Sequence, residues 1–160
     1  MGLQADGLAV LDGRSGIFSN KGINMHGEVG FCEWRSWENR GEVPGKDSPG
    51  VYFIACSDTK PDSYRAHHEA IIYIGETSQR TLGRRLWEFN TSAFNGKPGH
   101  SGGHTFKRNM PDATPGHLWV SACPVALGEP YTTAYIKYLE RRLLWEYVNT
   151  WGCLPPCNSM

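Results

Sequence analysis

Four side chains in this sequence are of the types that phosphate-ester chemistry uses: Tyr52, Tyr73, Arg85 and Glu140. Hydrolysis of a phosphodiester needs an activated water, charge stabilisation on the transferring phosphate, and help for the leaving oxygen. A tyrosine hydroxyl can position the water. It acts as a base only if its pKa of about 10 falls or its own proton is relayed elsewhere. An arginine offers phosphate a permanently charged planar fork. A glutamate can hold a hard divalent cation. Each type also has a plainer use: tyrosines pack sheets, a border arginine snorkels from a core, and a glutamate pairs with an arginine.

The elements that must position these residues can be read from the pattern. Tyr52 lies in the apolar run Val51-Tyr52-Phe53-Ile54-Ala55 and Tyr73 in Ile71-Ile72-Tyr73-Ile74, with a polar, turn-rich stretch over 57–69 between them. The two runs predict the arms of one hairpin, which would bring the tyrosines together. Thr77 or Ser78 is expected to cap a helix running to about Phe94. Residues 95–116 hold Gly96, Pro98, Gly99, Gly102, Gly103, Pro111, Pro115 and Gly116, a loop composition. A third strand is expected over 118–127, then a helix capped by Thr132 or Thr133 and ending before Gly152. The order β-β-α-β-α predicts an α+β fold, a small, mainly antiparallel three-stranded sheet flanked by helices. Residues 1–47 are Gly-rich and polar, with short apolar runs at Gly7-Leu8-Ala9-Val10-Leu11 and Val29-Gly30-Phe31. They read as an N-terminal extension packed on a core domain of residues 48–160, with Trp34 and Trp37 as packing residues.

Helical geometry separates the charges. On the first helix Leu82, Leu86, Phe89 and Ala93 share a face. At ~100° per residue Arg85 falls ~60° from that stripe, and Arg84 falls near the opposite side. On the last helix Ile136, Leu143 and Tyr147 form an apolar stripe, and Glu140 lies within it, ~40° from Ile136. A carboxylate there needs an arginine, a proton or a metal ion. A salt bridge to Arg85 or Arg141 and a divalent cation both satisfy that need.

The chain has 160 residues, enough for one domain with a sizeable core, and a formal net charge of zero. Bulk charge therefore gives no nucleic-acid signal, but its distribution does. Arg80, Arg84, Arg85, Lys97, Lys107 and Arg108 lie close in sequence with Glu88 as the single acid among them. Such a patch is either a phosphate-binding surface or a solvated basic one. His100 and His104, in Gly99-His100-Ser101-Gly102-Gly103-His104, meet phosphate, assist proton transfer or decorate a surface loop. Arg84, Lys97, His100, His104, Lys107 and Arg108 are thus the candidate nucleic-acid contacts. The five cysteines form no repeated pair at zinc-finger spacing. With no signal peptide or membrane-spanning stretch in view, a soluble, reduced, cytoplasmic protein is expected.

Gly50-Val51-Tyr52 and Tyr73-Ile74-Gly75, followed by Arg85, Glu140 and Asn158 in that order, resemble the GIY-YIG nuclease family over about residues 48–158. The resemblance implies a divalent-metal-dependent endonuclease that hydrolyses duplex DNA and leaves a 5′-phosphate and a 3′-hydroxyl. By it, Tyr52 would activate the water and Tyr73 would support it or contact phosphate. Arg85 would bind the scissile phosphate, Glu140 would hold Mg²⁺ or Mn²⁺, and Asn158 would close the domain. The sequence departs from the family pattern in a long insert between the tyrosine motifs, in Phe89 where many members carry tyrosine or histidine, and in Glu76 where lysine is common. A non-catalytic nucleic-acid-binding module and a protein-interaction domain are the rival expectations.

Overall fold

The buried apolar runs at residues 51–55 and 71–74 have the composition of strands, and they form the hairpin on which the rest of the fold is built. The structure, a computed structural model, describes residues 30–159. The expected strand at Gly7-Leu8-Ala9-Val10-Leu11 lies outside the described residues, as does most of the N-terminal extension. The strands are β1 (Arg35–Ser36), β2 (Gly50–Cys56), β3 (Ile71–Thr77) and β4 (Leu118–Pro124). The α-helices are α1 (Leu82–Asn95), α2 (Ser101–Asn109) and α3 (Tyr131–Trp151).

The fold is α+β, but the sheet has four strands where three were expected, in the order β1-β4-β2-β3 and antiparallel throughout. The extra strand comes from the N-terminal extension, where Arg35 and Ser36 pair with Val120 and Trp119. Arg35 and Ser36 of the extension thus complete one edge of the sheet. Trp37 is fully buried and donates from Nε1 to Asn90 Oδ1 at 2.9 Å, and Trp34 is buried on the other side of the sheet.

Alternation along β2 sends Tyr52 and Ile54 to one face and Val51, Phe53 and Ala55 to the other. The first face packs on Leu82, Leu86, Phe89 and Ala93 of α1 and on Phe106 of α2. The second packs on Ile136, Leu139, Leu143 and Tyr147 of α3. The sheet is thus the middle of three layers, with β3 at its edge.

That edge is covered by the C-terminal tail. The Cys157 amide donates to the Ile72 carbonyl at 2.8 Å. The Asn158 side chain accepts from the Ile74 amide at 2.9 Å and donates to the Ile74 carbonyl at 2.8 Å, in place of a neighbouring strand. Asn158→Ala is expected to lower stability by about 1–2 kcal/mol through these two bonds, checked by urea unfolding. A change below a few tenths would mean that water replaces the amide without cost.

The residues 95–116, expected as a loop, contain α2. Glycines disfavour helix in isolation, and tertiary packing overrides that preference here. A Cβ on Gly102 would lie 2.4 Å from Tyr73 Cε2, and one on Gly103 would lie 2.8 Å from the Phe89 carbonyl oxygen. The glycines are what allow α2 to approach β3 and α1 this closely. Thr81, not Thr77 or Ser78, caps α1, its side chain accepting from the Arg84 amide at 3.2 Å, while Thr77 ends β3. Neither Thr132 nor Thr133 is the N-cap of α3. Pro130 holds that position, and Thr132 Oγ1 accepts from the Leu127 amide at 2.9 Å. Among the described residues no helix is long and apolar enough to cross a membrane.

Candidate active site

Pairing register sets the tyrosine geometry. Tyr52 stands opposite Gly75 and Tyr73 opposite Ile54, so the two rings are diagonal neighbours on one face. Their centroids are 5.9 Å apart. Gly75 makes this approach possible, because a Cβ there would lie 2.4 Å from Tyr73 Cε1 and 2.7 Å from Tyr52 Cζ. The Tyr73 ring is therefore held between Gly75 of β3 and Gly102 of α2, with Phe89 and His100 packed against it at 5.9 and 5.3 Å.

The two hydroxyls are not equivalent. Tyr52 is fully buried, whereas Tyr73 lines a cleft of about 250 Å³ at the β3 edge together with Ser101, Glu140, Arg141, Leu144 and Asn158. Tyr52 stands behind Tyr73 and does not open onto that cleft. Burial pushes the Tyr52 hydroxyl well above its usual pKa, and the neighbouring Tyr73 adds to the rise while Arg85 opposes it. Burial also raises Tyr73, against the pull of the Arg85 guanidinium.

Arg85 is drawn to the core border as its helical position requires: its side chain is 20% exposed against 59% for Arg84. One guanidinium nitrogen donates to Glu88 at 3.0 Å and to the Gly99 carbonyl at 3.1 Å. Glu88 is nearly buried and binds Arg80, Arg84 and Arg85 together, and those three arginines hold its carboxyl below the usual range despite burial. The expected cationic patch is thus partly neutralised at its α1 end. Arg84 also lies over the Trp87 ring at 4.4 Å. Lys97, His104, Lys107 and Arg108 are exposed.

His100 differs from the expectation of a surface loop residue. It is 1% exposed and serves as the N-cap of α2, its Nδ1 accepting from the Gly103 amide at 3.3 Å. Its Nε2 lies 2.8 Å from Tyr52 Oη. A side chain so enclosed cannot reach a phosphate on the protein surface. Burial, then Arg85 and His104, lower its pKa to about 3. An unfolded histidine takes up its proton near pH 6.5, so between 6.5 and 3 the unfolded chain binds more protons than the fold. Stability is complete above that window and is lost on acidification, by up to about 1.4 kcal/mol per pH unit. The unfolding midpoint should fall between pH 7 and 5, and less steeply in His100→Asn. Equal slopes would show that His100 protonates as readily in the fold as out of it.

Glu140 sits on α3 across the cleft from Tyr73, its side chain 18% exposed. The guanidinium of Arg141 at 3.8 Å is its ion-pair contact, and Arg85 is paired with Glu88 instead. Burial raises its carboxyl, Arg141 and Lys137 lower it, and Glu76 raises it further. Glu76 bonds Lys137 through one oxygen and leaves Oε2 buried without a hydrogen-bond partner. Among the described residues no cluster of three or more His, Cys, Asp or Glu is present. Glu140 is the carboxylate that lines the cleft, a donor that a hard cation could use with water completing its shell.

Of the four expected catalytic residues, Tyr73 and Glu140 line this cleft, Tyr52 packs behind Tyr73, and Arg85 lines a neighbouring cleft with Glu76 and Lys137, while Lys97, His104, Lys107 and Arg108 are exposed. Gly102 and Glu76 complete the surroundings without having been expected there, and His100, expected as a nucleic-acid contact, is instead the buried partner of Tyr52. The signal for His100 was a polar residue ahead of an apolar-to-basic run ending in Lys107 and Arg108, masked by the glycines between. Searches with the whole chain against protein-family models, curated proteins and solved structures found no match.

Proposed function

We propose that the cleft at the β3 edge is the active site of a divalent-metal-dependent DNA endonuclease of the GIY-YIG type. The observation that carries this reading is the convergence of Tyr73, from the edge strand β3, and Glu140, from α3, on one cleft, with the Arg85 charge acting on the tyrosine pair. Glu140 would hold Mg²⁺ or Mn²⁺. The ion, when bound, stabilises charge on the phosphate and the leaving oxygen. Arg85, whose charge acts on both tyrosine hydroxyls, would reach a phosphate beside them by exchanging its contact to Glu88 or to the Gly99 carbonyl. Tyr73 is the hydroxyl that meets water at the cleft, and Tyr52 supports it from behind. Exposed Lys97, His104, Lys107 and Arg108 supply backbone contacts to duplex DNA, a salt-sensitive contribution.

The test is incubation of the native protein with supercoiled plasmid in Mg²⁺, Mn²⁺ or EDTA. Nicking or cutting in metal but not in EDTA is the expected result. A non-catalytic nucleic-acid-binding module is favoured by one observation, the occupation of Arg85 by Glu88 and the Gly99 carbonyl. Salt-sensitive binding without cleavage in any metal would establish that second reading instead.

A further inference from the structure

We infer that His100 is a positioning residue, which sets the direction of a hydrogen-bond chain running from the N-terminus of α2 through Tyr52 to Tyr73 at the cleft. The inference rests on the nuclease reading for its catalytic consequence, but its geometry stands apart from it. A neutral imidazole has one N–H and one bare nitrogen. Nδ1 accepts the Gly103 amide at the start of α2, so the proton resides on Nε2. That nitrogen lies 2.8 Å from Tyr52 Oη and must donate to it. The Tyr52 oxygen is then an acceptor toward His100, and its own proton has to point elsewhere. Tyr52 is fully buried, and the hydroxyl-bearing ring packed against it is that of Tyr73, its centroid 5.9 Å away.

The consequence falls on the cleft. A Tyr52 O–H directed at the Tyr73 oxygen leaves the Tyr73 proton free to turn outward, and it stabilises negative charge that develops on Tyr73 when a water proton moves. The Arg85 guanidinium acts in the same sense. Were His100 in the other tautomer, Nε2 would take the Tyr52 proton, Tyr52 would only accept from Tyr73, and the Tyr73 proton would be tied inward. One helix cap thus fixes which way the chain is polarised. His100 is held in register by the Ser92 hydroxyl, which accepts its amide at 3.1 Å, and by Phe89, whose ring meets the imidazole edge-on at 5.1 Å.

The variant to make is His100→Asn, because asparagine is among the best N-caps and keeps α2 while being too short to reach Tyr52. Single-turnover cleavage of a labelled duplex is measured in four proteins: native, His100→Asn, Tyr52→Phe and the double variant. A fall in kcat of about 10–100-fold in His100→Asn with KM for DNA unchanged is expected, and no further fall when it is added to Tyr52→Phe. A loss of equal size in both backgrounds would mean that His100 serves only the fold and would overturn the inference. In parallel, long-range ¹H–¹⁵N spectra of the histidines should show His100 with its proton on Nε2 at neutral pH. A proton on Nδ1 would overturn the inference whatever the kinetics. If the native protein cleaves nothing, the nuclease reading and the catalytic role fall together, and the spectrum alone decides the direction of the chain.

Discussion

Glu140→Gln should abolish metal-dependent cleavage, by on the order of 10³-fold or more, while leaving the protein folded. Glutamine keeps the shape of the side chain and loses the charge that a divalent ion requires. The structure also makes an unusual demand of this substitution: stability should hold or rise. Burial raises the Glu140 carboxyl above its ordinary value of 4.5, with Glu76 adding to the rise. The sign follows from proton binding. A folded carboxyl with a raised pKa holds its proton longer than the unfolded one, so the native state loses stability as pH climbs through that interval. Glutamine removes this cost, and the advantage of the variant over the native protein should appear above pH 4.5 and vanish below it. A structural ion pair with Arg141 predicts the reverse, a less stable variant at neutral pH. Thermal unfolding of both proteins at pH 4 and pH 7.5 distinguishes the two.

The second large effect comes from the glycines that hold Tyr73. Gly75→Ala and Gly102→Ala should each destabilise the protein by about 1–3 kcal/mol. The added methyl on Gly75 would sit 2.4 Å from Tyr73 and 2.7 Å from Tyr52, and the one on Gly102 would sit 2.4 Å from Tyr73. The Tyr73 ring cannot swing aside, because Tyr52, Phe89 and His100 all pack against it. The sign at Gly102 is diagnostic. In a helix with open space, glycine to alanine stabilises by about 1 kcal/mol through propensity alone. A stabilised Gly102→Ala would therefore show that α2 does not lie against Tyr73. Urea unfolding gives the sign directly, and under the proposed function both variants should also lose most of their cleavage.

Much of this site is legible in the sequence, for a definite reason. The apolar runs at residues 51–55 and 71–74 mark the hairpin that brings the tyrosines together, and the apolar stripe of α1 places Arg85 at the core border. The stripe of α3 likewise buries Glu140 to 18% exposure. These are consequences of local period, which sequence carries. What escaped reading depends on contacts between distant segments. Gly102 and Gly103 look like loop residues until Tyr73 and the Phe89 carbonyl are placed beside them. Arg35 and Ser36 become a strand only because β4 offers them an edge. The burial of His100, and with it the bond to Tyr52, follows from α2 and could not precede it.

The rate of Mg²⁺-dependent plasmid nicking by Tyr73→Phe against the native protein tests most directly whether the chemistry takes place at the β3-edge cleft. Phenylalanine keeps the ring between its two glycines and removes only the hydroxyl that faces Glu140 across the cleft. A fall of about 10²-fold or more is predicted. Nicking by Tyr73→Phe at the native rate would contradict the account, since no hydroxyl of the tyrosine pair would then be needed at the cleft.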